Sequence, residues 1–122
     1  MLDFNSILIF SEDPKKLADF YTKVLKKDPE WMDGGYYGFS AGKSYLTVGP
    51  HEKVKGKSKN PERIMLNFET KEVREEFKRI KALGAKVVAD PYQMGEWEGW
   101  IATFADPDGN YFQLMTPWEE GK

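Results

Sequence analysis

The order of hydrophobic and polar residues predicts one series of elements near the start of this chain. An apolar run over residues 6–10 predicts a strand. Apolar residues then recur at helical spacing, in a helix that Asp13 caps and Pro14 begins. The members of this face are Leu17, Phe20, Tyr21, Val24 and Leu25. Segments 36–40 and 44–48 predict two further strands, and another short strand is expected near Trp31.

The same series begins again at Arg63. Alternating apolar residues predict a strand over 64–68, and Thr70 is the predicted cap of a second helix that Gly84 ends. Strands are expected over 86–89, 100–104 and 111–115. The interval from Asp13 to Thr70 equals the interval from Phe20 to Phe77. We therefore predict an α+β fold of tandem βαβββ units, about 1–58 and 61–122, within a single domain 1–122.

The segment 104–117 predicts a hairpin that carries one unexplained polar residue. Asp106-Pro107-Asp108-Gly109 has turn chemistry, because proline presets a negative φ and glycine supplies a positive one. On the following strand, Gln113 shares a face with Tyr111 and Met115, while Phe112 and Leu114 share the other. A polar side chain among large residues needs a partner or a ligand.

Composition and charge exclude several function classes. The 18 basic and 20 acidic residues are spread along the chain and give a net charge of −2, so no basic surface for nucleic acid is predicted. No apolar run approaches the roughly 20 residues of a membrane span, and the N-terminus lacks the order of a signal peptide. The chain has no cysteine, which excludes thiolate chemistry. We expect a cytoplasmic protein without nucleic-acid or membrane partners.

A polar segment rich in lysine, residues 51–61, separates the two repeats. Its composition predicts a solvated linker, and the alternative is an anion-binding arm. His51, the one histidine, falls in this segment and is expected at the surface. It would become a candidate proton shuttle if the segment folded over a cavity.

The chain resembles the vicinal oxygen chelate superfamily, which includes glyoxalase I, extradiol dioxygenases and the bleomycin- and fosfomycin-resistance proteins. The resemblance covers nearly the whole chain. It is strongest in Ser6–Phe10, Glu12–Pro14, Asp19–Leu25, Lys81–Lys86 and Asp106–Leu114. It implies that the tandem βαβββ units form curved mixed sheets around a cavity. It also implies a homodimer, in which the two sheets of a cavity come from one chain or from both.

The resemblance places the superfamily's metal-ligand positions on residues that are poor ligands. They fall on Gln113, Thr47, Arg63 and either Asn5 or Ser6, and of these only Gln113 suits a metal. We expect no metal site and no cofactor. Arg63 beside Gln113 instead suits a carboxylate or other oxyanion. The alternative for Arg63 is an ion pair with a nearby glutamate such as Glu62 or Glu69.

The segment 94–100 is a second candidate binding region. Trp97 and Trp100 lie beside Glu96 and Glu98, and aromatic faces with carboxylates suit a flat or cationic organic ligand. The alternative is that Trp100 packs in the core, Trp97 covers an edge and both glutamates are solvated. Glu96 or Glu98 would be a general base if burial raised its pKa.

These observations lead to three functional hypotheses. The first is a metal-independent protein that binds a small organic molecule in an aromatic-lined cavity through Arg63, Gln113, Thr47, Trp97, Trp100 and Glu96. It resembles the sequestering resistance proteins of the superfamily and is not expected to be an enzyme. The second is a glyoxalase-like lyase or isomerase, or a relative of the dioxygenases. The third is a dimeric scaffold or regulatory partner whose cavity is vestigial and filled by its own tryptophans.

Overall fold

The computed structural model describes residues 1–119, and its contacts divide the chain into two compact units. The first unit, Met1–Gly56, contains β1 (Ser6–Ser11), α1 (Pro14–Leu25), β2 (Trp31–Asp33), β3 (Tyr36–Ala41) and β4 (Ser44–Pro50). The second unit starts at Lys57 and contains β5 (Met65–Glu69), α2 (Val73–Ala82), β6 (Lys86–Tyr92), β7 (Ile101–Ala105) and β8 (Tyr111–Met115). A 3-10 turn, Pro61–Arg63, precedes β5. The predicted βαβββ order is confirmed in both units.

Each unit builds one four-stranded mixed sheet, and the two sheets have equivalent topologies. The strand orders are β1-β4-β3-β2 and β5-β8-β7-β6. In each sheet the first and last strands of the unit pair in parallel, and the other neighbours are antiparallel. Neither sheet is closed, so each has two edge strands. The predicted α+β fold with mixed sheets is confirmed.

Helix α1 begins where the sequence indicates. The Asp13 carboxylate accepts a hydrogen bond of 3.2 Å from the backbone N–H of Lys16, and Pro14 is the first helical residue. The helix stops at Leu25, and Lys26 then adopts a left-handed conformation with φ 57°. Its buried face consists of Leu17, Ala18, Tyr21 and Val24.

Helix α2 corrects one detail of the prediction. Thr70 was the expected cap, but its hydroxyl oxygen accepts a 3.1 Å hydrogen bond from the backbone N–H of Glu72, and the helix begins only at Val73. Thr70 therefore forms a local turn before the helix, as hydroxyl side chains often do with the backbone two residues ahead. Gly84 follows the helix with φ 94°, which agrees with its predicted role at the end.

The strands bury one face against the helix of their own unit. In the second unit, Phe104 lies between Phe77 of α2 and Phe112 of β8, with ring centroids 5.1 and 5.5 Å apart. In the first unit, Phe39, Leu46 and Val48 occupy the equivalent layer and are fully or almost fully buried. No helix within residues 1–119 is long and apolar enough to cross a membrane.

The hairpin between β7 and β8 forms at the predicted turn. Gly109 has φ 79°, and the Asp106 carboxylate accepts hydrogen bonds from the backbone N–H groups of Asp108 and Asn110 at 2.9 and 3.0 Å. The turn pairs Ala105 with Tyr111. This register decides which residue of β7 lies opposite Gln113.

The aromatic stack predicts a large effect for one truncation. Replacing Phe104, which is 0% exposed, with Ala should lower the free energy of unfolding by about 3–5 kcal/mol, because it removes buried contacts and leaves a cavity. Phe4→Ala is the control, since Phe4 is 84% exposed and its loss should change stability by less than about 0.5 kcal/mol. Urea denaturation followed by circular dichroism would measure both. Similar effects of the two variants would contradict the packing described.

Candidate functional site

Gln113 finds its hydrogen-bond partner within the second sheet. Its side-chain Nε2 donates a 3.0 Å hydrogen bond to the hydroxyl oxygen of Thr103. The two residues are direct cross-strand neighbours of β7 and β8. Thr103 is only 4% exposed, so this bond fixes the Gln113 amide against a buried residue. Gln113 thus lies on the strand face opposite the Phe104 layer, as the alternation predicted.

Asn67, not Arg63, is the neighbour of Gln113 on the parallel strand. The register of β5 and β8 pairs Asn67 with Gln113. The assignment of Arg63 to the first strand of this unit was wrong, because Arg63 ends the 3-10 turn and β5 begins only at Met65. Ile64, which we expected within the strand, lies before it and is exposed.

Arg63 is exposed and has no ion pair with Glu62 or Glu69 among the described residues. The proposed internal salt bridge is therefore absent from this part of the chain. The backbone N–H of Arg63 donates a 3.1 Å hydrogen bond to the carbonyl oxygen of Asn60, and this bond closes the 3-10 turn. A role for Arg63 in ligand binding stays a prediction.

Thr47 occupies the centre of the first sheet, on the face turned away from α1. It pairs with Leu8 of β1 and Gly38 of β3. The residue beside it on the first strand is therefore Leu8, and the expected choice between Asn5 and Ser6 was wrong. The error arose because a strand's register cannot be counted across the helix that follows it.

Aromatic rings cover two glycines on this same face of the first sheet. The Trp31 ring lies over Gly38, and the Tyr36 ring lies over Gly49, where a Cβ atom would overlap either ring. The face is nevertheless open, since Trp31, Tyr45 and Leu8 are 45%, 40% and 45% exposed. The first unit therefore presents an accessible aromatic and aliphatic surface around the Thr47 hydroxyl.

Trp97 and Glu96 lie in the loop between β6 and β7. Met94 to Trp97 form a turn, closed by the Trp97 N–H and the Met94 carbonyl oxygen at 3.2 Å. The Trp97 ring covers Gly99 and lies 5.3 Å from the ring of Trp118. Glu96 is exposed at the tip of this turn. These contacts give Trp97 a packing role, and ligand binding by Trp97 and Glu96 stays a prediction.

Trp100 lies where the loop joins β7 and lines a separate cavity of about 270 Å³. Its backbone N–H donates to the Thr116 hydroxyl at 2.9 Å, and its carbonyl accepts from the Thr116 N–H at 3.0 Å. The guanidinium carbon of Arg74 stands 4.8 Å from the Trp100 ring centroid, at cation–π distance. Glu98 lines the same cavity. One face of Trp100 is thus already occupied by a cation of the protein itself.

His51 follows β4, outside the sheet, as expected from its position in the polar segment. Its ring packs edge-on against Phe10 with centroids 4.9 Å apart, and its Nδ1 accepts a 3.0 Å hydrogen bond from the Lys53 N–H. It lines an open groove of about 490 Å³ with Glu12 and Lys55, among others. The hydrogen bond from Lys53 indicates that the His51 side chain stabilises the turn that follows β4.

The residues at the metal-ligand positions are poor donors for a divalent ion. Gln113 and Asn67 are neutral amides, Thr47 is a neutral hydroxyl and Leu8 has no donor atom. Divalent sites are normally built from imidazole, carboxylate or thiolate groups. Within residues 1–119, no group of three or more His, Cys, Asp or Glu residues could hold a metal ion. The donor set therefore does not fit a metal.

Comparison with known families agrees with the fold and the strand positions. Residues 6–115 match the model of a family described as the glyoxalase-like domain. The chain belongs to this family. Among curated protein sequences, none is significantly similar to this glyoxalase-like protein.

Solved structures share the fold over nearly the whole chain. A glyoxalase/bleomycin resistance protein/dioxygenase family enzyme from Burkholderia phytofirmans PsJN is 23% identical, with a TM-score of 0.76 and coverage of 94% of this chain and 98% of that chain. A lactoylglutathione lyase from Agrobacterium tumefaciens is 18% identical, with a TM-score of 0.75 and coverage of 98% and 97%.

A fosfomycin resistance protein from Listeria monocytogenes, complexed with Mn(II) and sulfate, is also similar. It is 19% identical, with a TM-score of 0.77 and coverage of 95% of this chain and 90% of that chain. At these identities the likeness shows the fold. Chemistry must be argued from the residues of this glyoxalase-like protein itself.

Sequence reasoning missed two residues of the site. Thr103 could have been found, because the turn that pairs Ala105 with Tyr111 also places Thr103 opposite Gln113. The sequence indicates Asn67 only weakly, as a polar residue between Leu66 and Phe68 in the strand. Its position beside Gln113 depends on a parallel pairing between distant segments.

The bond between Gln113 and Thr103 predicts a measurable contribution to stability. Thr103→Val keeps the side-chain shape but removes the acceptor, so the free energy of unfolding should fall by about 1 kcal/mol. Thr47→Val is the matched control, since Thr47 is also on a central strand but makes no side-chain hydrogen bond among residues 1–119. Urea denaturation of both variants tests this. An equal effect in the two would show that the Gln113 contact contributes nothing.

Proposed function

We propose that this glyoxalase-like protein binds a small organic molecule without a metal ion, on the strand faces that its helices leave uncovered. The support is the composition of those faces. In the first unit the face carries accessible aromatic and aliphatic side chains around Thr47, and in the second it carries Gln113 and Asn67. An apolar surface with a few polar groups is the usual character of a small-molecule site.

The aromatic face of the first unit is the observation that carries this proposal. Soluble proteins seldom expose contiguous apolar surface without a function. Here the glycines at 38 and 49 give the Trp31 and Tyr36 rings room to lie close to the sheet. Phe10 adds an edge-on contact to Tyr36, with centroids 6.5 Å apart. A flat ligand would stack on rings that are already held in place, which reduces the entropy lost on binding.

Metal independence is supported by the chemistry of the donor set. A threonine hydroxyl and two neutral amides do not replace the imidazole and carboxylate groups on which divalent sites depend. The Mn(II) of the Listeria relative belongs to that protein. In this chain the amide of Gln113 is held by a hydroxyl group, and the residues directly opposite it on the two neighbouring strands, Asn67 and Thr103, are neither histidine nor carboxylate.

The alternative function is a lyase, isomerase or dioxygenase-related enzyme, as the names of several relatives suggest for those proteins. Of the residues that β5, β7 and β8 contribute to the Gln113 face, Glu69 is the one carboxylate. It is the candidate general base for a metal-free reaction. Glu69 is exposed to solvent, so the fold does not enclose it as a closed active site encloses a catalytic base.

A cytoplasmic homodimer completes the proposal. The edge strand β2 is three residues long, and its side chains are exposed, among them Met32 at 67% and Trp31 at 45%. Pairing with a second copy would cover such an edge. Light scattering at micromolar concentration should give twice the mass of the chain, and a monomeric mass would remove this part of the proposal.

Tryptophan fluorescence can locate the ligand on the aromatic face. An aromatic compound that binds the protein should quench the Trp31 emission, and the quenching should be lost in Trp31→Phe. Trp97→Phe is the matched control, because Trp97 lies in the second unit and packs against Trp118. That variant should retain the ligand-induced quenching.

The reverse pattern would contradict the proposed location. Quenching that persists in Trp31→Phe and disappears in Trp97→Phe would place the ligand at the 94–100 loop. Quenching that requires an added divalent ion would contradict metal independence and would favour the enzyme hypothesis.

A further inference from the structure

Two side-chain amides stand next to each other on the strand face of the second unit. Asn67 of β5 and Gln113 of β8 are paired in the parallel register. Paired residues of adjacent strands point to the same face, with the strands about 4.8 Å apart. One planar group can therefore contact both amides at once.

Both amides have hydrogen-bonding capacity left over. The Nε2 of Gln113 is bound to Thr103, and its amide oxygen accepts no hydrogen bond within residues 1–119. The Gln113 amide oxygen is not fully buried and is accessible to solvent. The Asn67 side chain is exposed and likewise makes no hydrogen bond in the described part of the chain. The pair thus offers a fixed acceptor beside a group that both donates and accepts.

The charge nearest to this pair by strand register disfavours an anionic ligand, and Lys86, a cation on the same face, lies on the edge strand β6, two strands from Gln113. Two residues further along β5 and β8, and on the same face, Glu69 is paired with Met115. Its carboxylate would repel an anion. Arg63, the cation expected here, lies outside the strand, in the 3-10 turn that ends four residues before Asn67. The amides themselves carry no charge.

The remaining neighbours form an apolar surface. Met65 and Tyr111 are paired on the other side of the amides, and Met115 lies beyond Gln113. All three are partly buried. Thioether and phenol side chains pack well against flat rings. The surroundings therefore favour a planar ligand with an uncharged polar edge.

We infer that Asn67 and Gln113 recognise an uncharged planar group that both donates and accepts hydrogen bonds, such as a carboxamide, a lactam or the edge of a nucleobase. Thr103 is a positioning residue, since it holds the Gln113 amide with its oxygen available. The inference rests on the proposed function, because it names the chemistry of a ligand on one of the open strand faces.

Three probes of similar shape and different charge test this inference. Benzamide is neutral, benzoate is an anion and benzamidinium is a cation. Each is titrated at millimolar concentration into ¹⁵N-labelled protein, and the side-chain NH₂ signals of Asn67 and Gln113 are followed by NMR. Benzamide should shift both signals and bind at least about tenfold more tightly than the two ions, a difference of about 1.4 kcal/mol.

Variants separate recognition from nonspecific binding. Asn67→Leu and Gln113→Leu should each abolish the response to benzamide, whereas Asn5→Leu, an exposed asparagine of the first unit, should leave it unchanged. Thr103→Val should weaken benzamide binding without abolishing it, because the Gln113 amide loses its fixed orientation. Preserved backbone spectra would show that each variant is folded.

Several outcomes would overturn the inference. They are tighter or equal binding of benzoate or benzamidinium, a benzamide response that survives both leucine variants, and no response of the two amides to benzamide. A response confined to the Trp31 indole signal would overturn the amide pair but support the proposed function. Binding that appears only after a divalent ion is added would contradict the proposed function itself.

Discussion

Because side chains alternate between the two faces of a strand, the single helix of each unit covers only one face of its sheet. In the second unit this constraint assembles Phe77, Phe104 and Phe112 into one stacked layer. The residues next to Phe104 and Phe112 in their strands, Thr103 and Gln113, must then lie on the opposite face. The same alternation that builds the core therefore also decides which residues remain available for a ligand.

The two units meet this constraint with different residues. The first places aromatic rings over Gly38 and Gly49, so its open face is largely aromatic and aliphatic around the Thr47 hydroxyl. The second places Gln113 between a buried threonine on one neighbouring strand and an exposed asparagine on the other, so the face away from its helix is polar at the centre. Equivalent topology thus supports two chemically distinct surfaces, one suited to stacking and one suited to hydrogen bonding.

Local signals in the sequence were sufficient for the elements and for much of the alternation. Asp13 and Pro14 start α1 as predicted, and the turn at Asp106 sets the hairpin. Pairings between distant strands could not be predicted in the same way. Arg63 was placed beside Gln113 because the β5 residue that pairs with Gln113 was counted four positions too early, and that shift concealed Asn67. A strand glycine such as Gly38 indicates a close approach without indicating which ring makes it.

The central claim is that this glyoxalase-like protein binds an organic ligand without a metal ion. The most direct measurement is the thermal unfolding of chelator-treated protein with Mn²⁺, Fe²⁺, Co²⁺, Ni²⁺ or Zn²⁺, and separately with a panel of neutral, anionic and cationic aromatic compounds. A ligand at a hundredfold excess over its Kd stabilises the native state by about 2.7 kcal/mol. The account predicts a shift with planar organic compounds and none with the metals. A specific shift with one metal, on which organic binding then depends, would contradict it.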